Sequence, residues 1–232
     1  MTVLRFSSDG NRLASGGDDS VVVVWDARTG ALLDRLTGHQ RSITDAAWMV
    51  AGKKLRGRGK LASGTRARGG SGTGISSGRM LVTSSMDSSV VVFEELAAVG
   101  EGGALSYKAI VSLDWLASPF LCLAYTKAKR LLVGGRGDGR VQVWDAAAPN
   151  LGLLDVCTFD SGCSRVDAIE VSQDGELIAT GGSDWLVHLW NRQESDGVVT
   201  YEVDPAVRGA GHKDALTHMV MSPDGNTLLT SR

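Results

Sequence analysis

Apolar and polar residues alternate with a period of two through short runs closed by glycine, aspartate or serine. Val3-Leu-Arg-Phe6, Ala168-Ile-Glu-Val171 and Met219-Val-Met221 follow this pattern and stop at Asp9-Gly10, Asp174-Gly175 and Asp224-Gly225. A period of two is that of a half-buried strand. Asp-Gly suits the reversal because glycine takes positive φ without steric cost while the carboxylate holds nearby N–H groups. The pattern therefore predicts β-hairpins throughout. The longest apolar stretch, Ala109 to Tyr125, is broken by Asp114 and Pro119 and is too short to span a bilayer.

The hairpins belong to a repeat. Leu13-Ala-Ser-Gly-Gly-Asp-Asp-Ser-Val-Val-Val-Val-Trp25-Asp26 aligns with Leu81 to Glu94, Leu132 to Asp145 and Ile178 to Asn191. In each segment an aspartate (Asp19, Asp87, Asp138, Asp184) stands six residues before an aromatic (Trp25, Phe93, Trp144, Trp190). The aromatics lie 68, 51 and 46 residues apart, and removing the 29 residues 51–79 shortens the first interval to 39. One unit of strand, turn, strand, turn, strand, with a fourth strand leading onward, recurs with insertions.

Composition agrees with an all-β chain. Thirty glycines stand against four prolines in 232 residues, and 43% hydrophobic content supports a sizeable core in one large domain or two small ones. The net charge of −2 conceals an asymmetry: residues 51–79 carry eight lysines and arginines and no acid, which leaves the remainder at −10. Cys122, Cys157 and Cys163 are odd in number and form no C-x-x-C pair, so neither a disulfide framework nor a zinc site is expected. With no secretory signal pattern in Met1 to Ser7, a reducing cytoplasm is the expected setting.

A four-stranded unit of about 40 to 45 residues with Gly-His before it and Trp-Asp near its end resembles the WD40 family of β-propellers. Gly38-His39 and Gly211-His212 supply the first element, Trp25-Asp26 and Trp144-Asp145 the second. The resemblance implies a WD40 β-propeller with four recognisable four-stranded blades and a partial fifth, covering 1–232 as an incomplete ring. It also implies that a His, a Ser or Thr of the second strand, the turn Asp and the Trp form a buried hydrogen-bonded chain in each blade. By position this assigns Ser15, Asp19 and Trp25 to the first blade, and His39, Thr83 and Asp87, followed by Phe93, to the second. The third receives Asp138 and Trp144, the fourth Thr180, Asp184 and Trp190, and the fifth His212. Phe93 lacks an indole N–H and Gly134 replaces the hydroxyl residue of the third blade, so those blades are expected to rely on apolar packing.

Catalytic chemistry finds no support. Gly74-Ile-Ser76-Ser-Gly78 matches G-x-S-x-G but lies in a Gly/Ser-rich stretch without the strand-to-helix setting of a nucleophile elbow. Gly135-Arg-Gly-Asp-Gly139 fits a strand-connecting turn, and no phosphate loop is present. His188 and His218 have no metal-spaced partners, and His188 falls at a solvent-facing strand position. No enzyme activity, cofactor, metal, small-molecule substrate or membrane association is expected.

The expected function is a non-catalytic scaffold for other proteins. Trp185, directly after the turn aspartate where the other units have Ser20, Ser88 and Gly139, is a candidate partner contact, with Arg136, Arg41 and Lys213 on the same rim. Residues 51–79 are expected to be a disordered basic insertion between the first two strands of the second blade, suited to acidic protein tails or to RNA. They contain no aromatic residue, which disfavours single-strand stacking. Phe120-Leu-Cys-Leu-Ala-Tyr125 with Leu132-Val-Gly-Gly, Asp174 to Asp184 and Gly197 to Thr200 resembles flagella-associated WD-repeat proteins of doublet microtubules. Leu36-Thr-Gly-His-Gln-Arg-Ser-Ile-Thr-Asp45 resembles the ribosome-assembly WD-repeat group. An adaptor or regulatory part of a larger enzyme is a third alternative.

Overall fold

The computed structural model describes residues 3–50, 75–97, 105–113, 118–146, 154–204, 209–210 and 212–232, and among them there is no helix. The strands form two compact units, of which the first holds the first two blades and the second holds the rest.

In the first unit, β1 (Val3–Phe6), β2 (Arg12–Gly16), β3 (Val22–Asp26) and β4 (Leu32–Leu36) pair antiparallel in chain order. A second sheet follows in the same order: β5 (Ile43–Val50), β6 (Ile75–Ser85), β7 (Val90–Ala97) and β8 (Ser106–Leu113). Of the predicted basic insertion, residues 51–74 lie outside the described residues. Residues 75–79 correct that expectation, since they are the start of β6, paired to β7 through Ile75↔Ala97 and Ser76↔Leu96. The inner side of the first sheet and the facing side of the second share one core of Val3, Ala14, Val22, Val24, Leu36, Ile43, Ala46, Leu81, Val91 and Phe93.

In the second unit, β9 (Phe120–Thr126), β10 (Leu131–Arg136), β11 (Arg140–Asp145) and β12 (Leu154–Asp160) form the third blade. The fourth is β13 (Val166–Val171), β14 (Leu177–Gly182), β15 (Leu186–Ser195) and β16 (Val198–Val203), with the short β17 (Gly209–Ala210) also pairing β15. Strands β18 (His218–Met221) and β19 (Leu228–Ser231) form a two-stranded sheet that packs on the fourth blade. Among the described residues there are thus four blades of four strands in chain order, the fourth with β17 added, and the first hairpin of a fifth.

The Asp-Gly turns are three copies of one structure. Ser7 Oγ donates to Asp9 at 2.7 Å, Ser172 to Asp174 at 2.6 Å and Ser222 to Asp224 at 2.5 Å. The same aspartates accept from the N–H of Asn11, Glu176 and Asn226, and the serine hydroxyls accept from the N–H of Arg12, Leu177 and Thr227, each at 2.9 Å. These bonds, the serine hydroxyl foremost, hold all three carboxyls below the usual carboxylate range.

Neighbouring blades lock by a repeated contact. Gly16, Gly135 and Gly181 occupy the same position of the second strand, and a Cβ there would lie 2.9 Å from Ile43, 2.5 Å from Val166 and 2.6 Å from Leu216. Each of these side chains comes from the start of the next blade and needs the space a side chain would fill.

Candidate functional site

The hydrogen-bonded chains differ from blade to blade. In the first, the Trp25 indole N–H donates to Ser15 Oγ at 2.9 Å, while Asp19 is exposed and accepts from the Val21 N–H of its own turn at 3.3 Å. Its assignment to a buried chain is therefore corrected. In the second, His39 is buried with Nε2 2.8 Å from Thr83 Oγ1 and Nδ1 2.9 Å from Ser89 Oγ. The Ser89 hydroxyl donates to Asp87 at 2.5 Å. Ser89 must then accept from Nδ1–H, and in the neutral ring Nε2 accepts from Thr83. Burial raises the affinity of Asp87 for a proton, but the bonds from Ser89 and the Gln40 N–H, with His39 nearby, outweigh it and keep the carboxyl below its ordinary range. Phe93 closes this blade by packing alone, 3% exposed.

In the third blade, Gly134 leaves room that Phe120 fills: a Cβ on Gly134 would meet the Phe120 ring at 2.6 Å and Trp144 at 3.0 Å. Phe120 and Trp144 meet at an interplanar angle of 50° with centroids 5.0 Å apart, so an apolar ring pair stands where other blades place a hydroxyl. Asp138 pairs with Arg136 at 2.6 Å. Arg136 is 7% exposed, with its guanidinium 5.8 Å from the Phe120 centroid, which removes it from the rim contacts. Aromatic and carboxylate neighbours draw the long side chain inward.

In the fourth blade, Trp190 N–H donates to Thr180 Oγ1 at 2.9 Å. Asp184, which lacks a Gly-His partner, takes His188 Nε2 at 2.6 Å from strand β15. The expectation of a solvent-facing His188 is corrected, because the strand places it opposite Thr180 and within reach of the turn carboxylate. In the fifth, His212 Nε2 lies 2.6 Å from Thr230 Oγ1. Thr180→Val is expected to strand the indole N–H of a residue only 7% exposed and to cost about 1–3 kcal/mol, read as a lower urea midpoint at unchanged slope.

The rim residues split. Trp185 stays 49% exposed, and Arg41 and Lys213 are exposed too.

One cluster has no counterpart in the repeat. Glu95, 1% exposed, accepts from Arg12 Nε at 3.2 Å, Arg79 Nη1 at 3.1 Å and the Tyr107 hydroxyl at 2.5 Å. Arg79 also pairs with Asp9, and Arg12 with Asp26 at 3.5 Å. Burial pushes the Glu95 carboxyl up, but Tyr107, Ser77 and the two guanidiniums outweigh it and hold it below its ordinary value. Burial and the Glu95 charge push the Tyr107 phenol up. Arg5–Asp45 at 2.8 Å and the Trp48 indole on the Arg5 carbonyl at 3.0 Å add to this junction of the first two blades. The cluster fixes geometry and presents no open reacting centre. Among the described residues no group of three metal-ligating side chains occurs, and no helix is long and apolar enough to cross a membrane.

The family model described as "WD domain, G-beta repeat" matches residues 1–26 and 155–191. The chain is 26% identical over 197 residues to "WD repeat-containing protein slp1" of Schizosaccharomyces pombe, covering 84% of this chain and 33% of that protein. It is 30% identical over 112 residues to "Cilia- and flagella-associated protein 52" of Chlamydomonas reinhardtii, covering 48% and 16%. It is 26% identical over 198 residues to "Pre-mRNA-processing factor 19 homolog 2" of Arabidopsis thaliana, covering 77% and 35%. The chain spans about a third or less of the length of these relatives. The same unit is now seen in residue spacing, strand pairing and similarity, and in all three the chain is similar to WD40-repeat proteins, with two of its repeats matched by the family model.

Proposed function

We propose that this chain is a non-catalytic scaffold that gathers other proteins, with the β14–β15 turn of the fourth blade as a contact point. Trp185 carries the proposal. The corresponding turn residues all have positive φ: Ser20 at 60°, Ser88 at 64°, Gly139 at 82° and Trp185 at 67°. That conformation costs a non-glycine residue about 1–2 kcal/mol, and a half-exposed ring returns little of this to the fold. A rigid aromatic held outward is the kind of side chain that anchors a protein interface. WD-repeat relatives support the general role, since assembling partners is the use that a family of rigid repeat domains serves.

Trp185→Ala is expected to leave the melting temperature unchanged and to weaken capture of the chain's partners at least about tenfold. An identical set of partners held equally well by both proteins would remove the turn from the binding surface.

The finer setting is proposed as ciliary, supported by the similarity to the cilia- and flagella-associated protein, with the basic residues between 51 and 74 meeting acidic protein tails. An RNA-associated role is the second reading, favoured by the same cationic segment and by the pre-mRNA-processing relative. Sedimentation of tagged full-length protein with axonemes or with ribonucleoprotein particles separates the two.

A further inference from the structure

Asp-Gly is a sequence at which a polypeptide readily rearranges, because glycine has no side chain to obstruct attack of its own nitrogen on the neighbouring aspartyl carboxyl. The chain holds five such pairs: Asp9-Gly10, Asp138-Gly139, Asp174-Gly175, Asp196-Gly197 and Asp224-Gly225. The reaction needs two groups free, the carboxyl that is attacked and the glycine nitrogen that attacks it.

In four of the five pairs the fold occupies both groups. The N–H of Gly10, Gly139, Gly175 and Gly225 donates to the carbonyl of Ser7 at 2.8 Å, Arg136 at 3.2 Å, Ser172 at 2.9 Å and Ser222 at 2.9 Å. The Asp9, Asp174 and Asp224 carboxylates accept from the hydroxyls of the same three serines, and Asp138 accepts from the Arg136 guanidinium at 2.6 Å. At Asp196-Gly197 neither group is held: among the described residues the carboxylate has no hydrogen bond or ion pair and the Gly197 N–H has no acceptor. The kind of reversal makes the difference. In the four, glycine is the last residue of a turn that its own N–H closes. Asp196 at φ 53° and Gly197 at φ 77° are instead the two central residues of a hairpin loop closed by Ser195↔Val198. This loop also stands clear of the sheet. The Arg192 N–H still donates to the Glu176 carbonyl at 2.8 Å, but beyond it β15 pairs only with β16, and Gln193 to Val198 are exposed. A hairpin end of this kind opens locally at little cost, which lets the Asp196 main chain turn its carboxyl toward the next nitrogen.

We propose that Asp196 is a modification site at which the folded protein converts aspartate to isoaspartate, the group on which isoaspartyl carboxyl methyltransferases act. The Gly197 nitrogen bonds to Asp196 Cγ. One carboxyl oxygen leaves as water, carrying the amide proton and a proton drawn from solvent, and a succinimide ring forms. Water then breaks one of the two imide bonds. Opening at Cγ restores aspartate, whereas opening at the main-chain carbonyl leaves Gly197 attached through Cγ and frees the former main-chain carbonyl as a carboxylate. Nothing is oxidised or reduced. The product adds a carbon to the main chain of a loop whose Ser195↔Val198 closure has no place for it. The site lies at the opposite end of β15 from the Trp185 turn and stands whether or not that turn binds partners.

The test is to age the full chain at neutral pH and body temperature in water labelled with heavy oxygen, and to map it with trypsin, which leaves the five pairs in five different peptides. Isoaspartate is read as a peptide of unchanged sequence that elutes apart, carries heavy oxygen, and accepts a methyl group from S-adenosylmethionine with a purified isoaspartyl methyltransferase. In the folded protein the Asp196 peptide is expected to convert at least about tenfold faster than any of the other four, each of which must first break two hydrogen bonds. In urea all five are expected to convert at similar rates, since only local sequence then acts. Asp196→Glu would have to close a larger ring and is expected to abolish the signal from that peptide at unchanged circular dichroism. A folded chain in which Asp196 converts no faster than the other four overturns the proposal. So does an equal lead of Asp196 in urea, which would place the cause in the sequence around it and not in the fold.

Discussion

Replacing Gly139 with alanine is expected to cost the second unit about 3 kcal/mol or more, a large share of the stability of a domain of this size. Two penalties coincide at this turn. Its φ of 82° is one that an L side chain adopts only under strain, and the added methyl would overlap the carbonyl oxygen of Cys163. Backbone cannot rotate aside as a side-chain end does, and this stretch is held, because the Gly139 carbonyl accepts from both the N–H and the hydroxyl of Ser161. The control is Gly10→Ala, where φ is 69° but nothing lies within 4 Å of the new methyl. It carries the conformational penalty alone, about 1–2 kcal/mol. Urea titration of both proteins separates the terms, and equal midpoints would show that the Cys163 carbonyl yields without cost.

Glu95→Ala is expected to destabilise the first unit by about 3–5 kcal/mol, since it leaves two guanidiniums and a phenol without the carboxylate that compensates their burial. Glu95→Gln keeps the shape and an acceptor for Tyr107 but not the charge, and should fall between the two. The acid dependence follows from the direction of the shift. The Glu95 carboxyl is held below its ordinary 4.5 when folded, so the folded state binds its proton less readily than the unfolded chain. Its stabilising contribution is complete above about pH 4.5 and is lost as pH falls through the lower folded value. Urea midpoints between pH 7 and pH 3 should therefore drop less steeply for Glu95→Gln than for wild type. Parallel curves would place the acid sensitivity elsewhere, with Asp9 and Asp87 the first alternatives.

Much of this architecture was legible in the residues. The aspartate six positions before the aromatic marked the four turns between second and third strands, and the Asp-Gly pairs marked three hairpins, because a tight reversal has few chemical solutions. The hydroxyl–indole pairs Ser15–Trp25 and Thr180–Trp190 are diagonal neighbours on one face of adjacent strands, and the WD40 resemblance placed them together by position. Arg136 and His188 were misjudged because their surroundings depend on what the neighbouring chain leaves open. Gly134 admits Phe120 and with it the Arg136 guanidinium, and the absence of a Gly-His imidazole leaves Asp184 for His188. The Glu95 cluster was hidden because its members come from six strands or turns of two blades. One signal was present: Val90 to Phe93 is a continuous apolar run rather than an alternating one, and a strand of that kind is buried on both sides, here as far as Glu94 and Glu95.

The Ser-x-Asp-Gly hairpins draw the serine and aspartate bonds that shape their reversal from within a few residues of sequence. Such a cassette can be copied by a duplication event with its turn already complete. The Glu95 junction, which borrows from two repeats at once, cannot be cut between them so cheaply. Lineages carrying this gene should thus vary in repeat number on either side of that junction while inheriting the first two repeats as a pair.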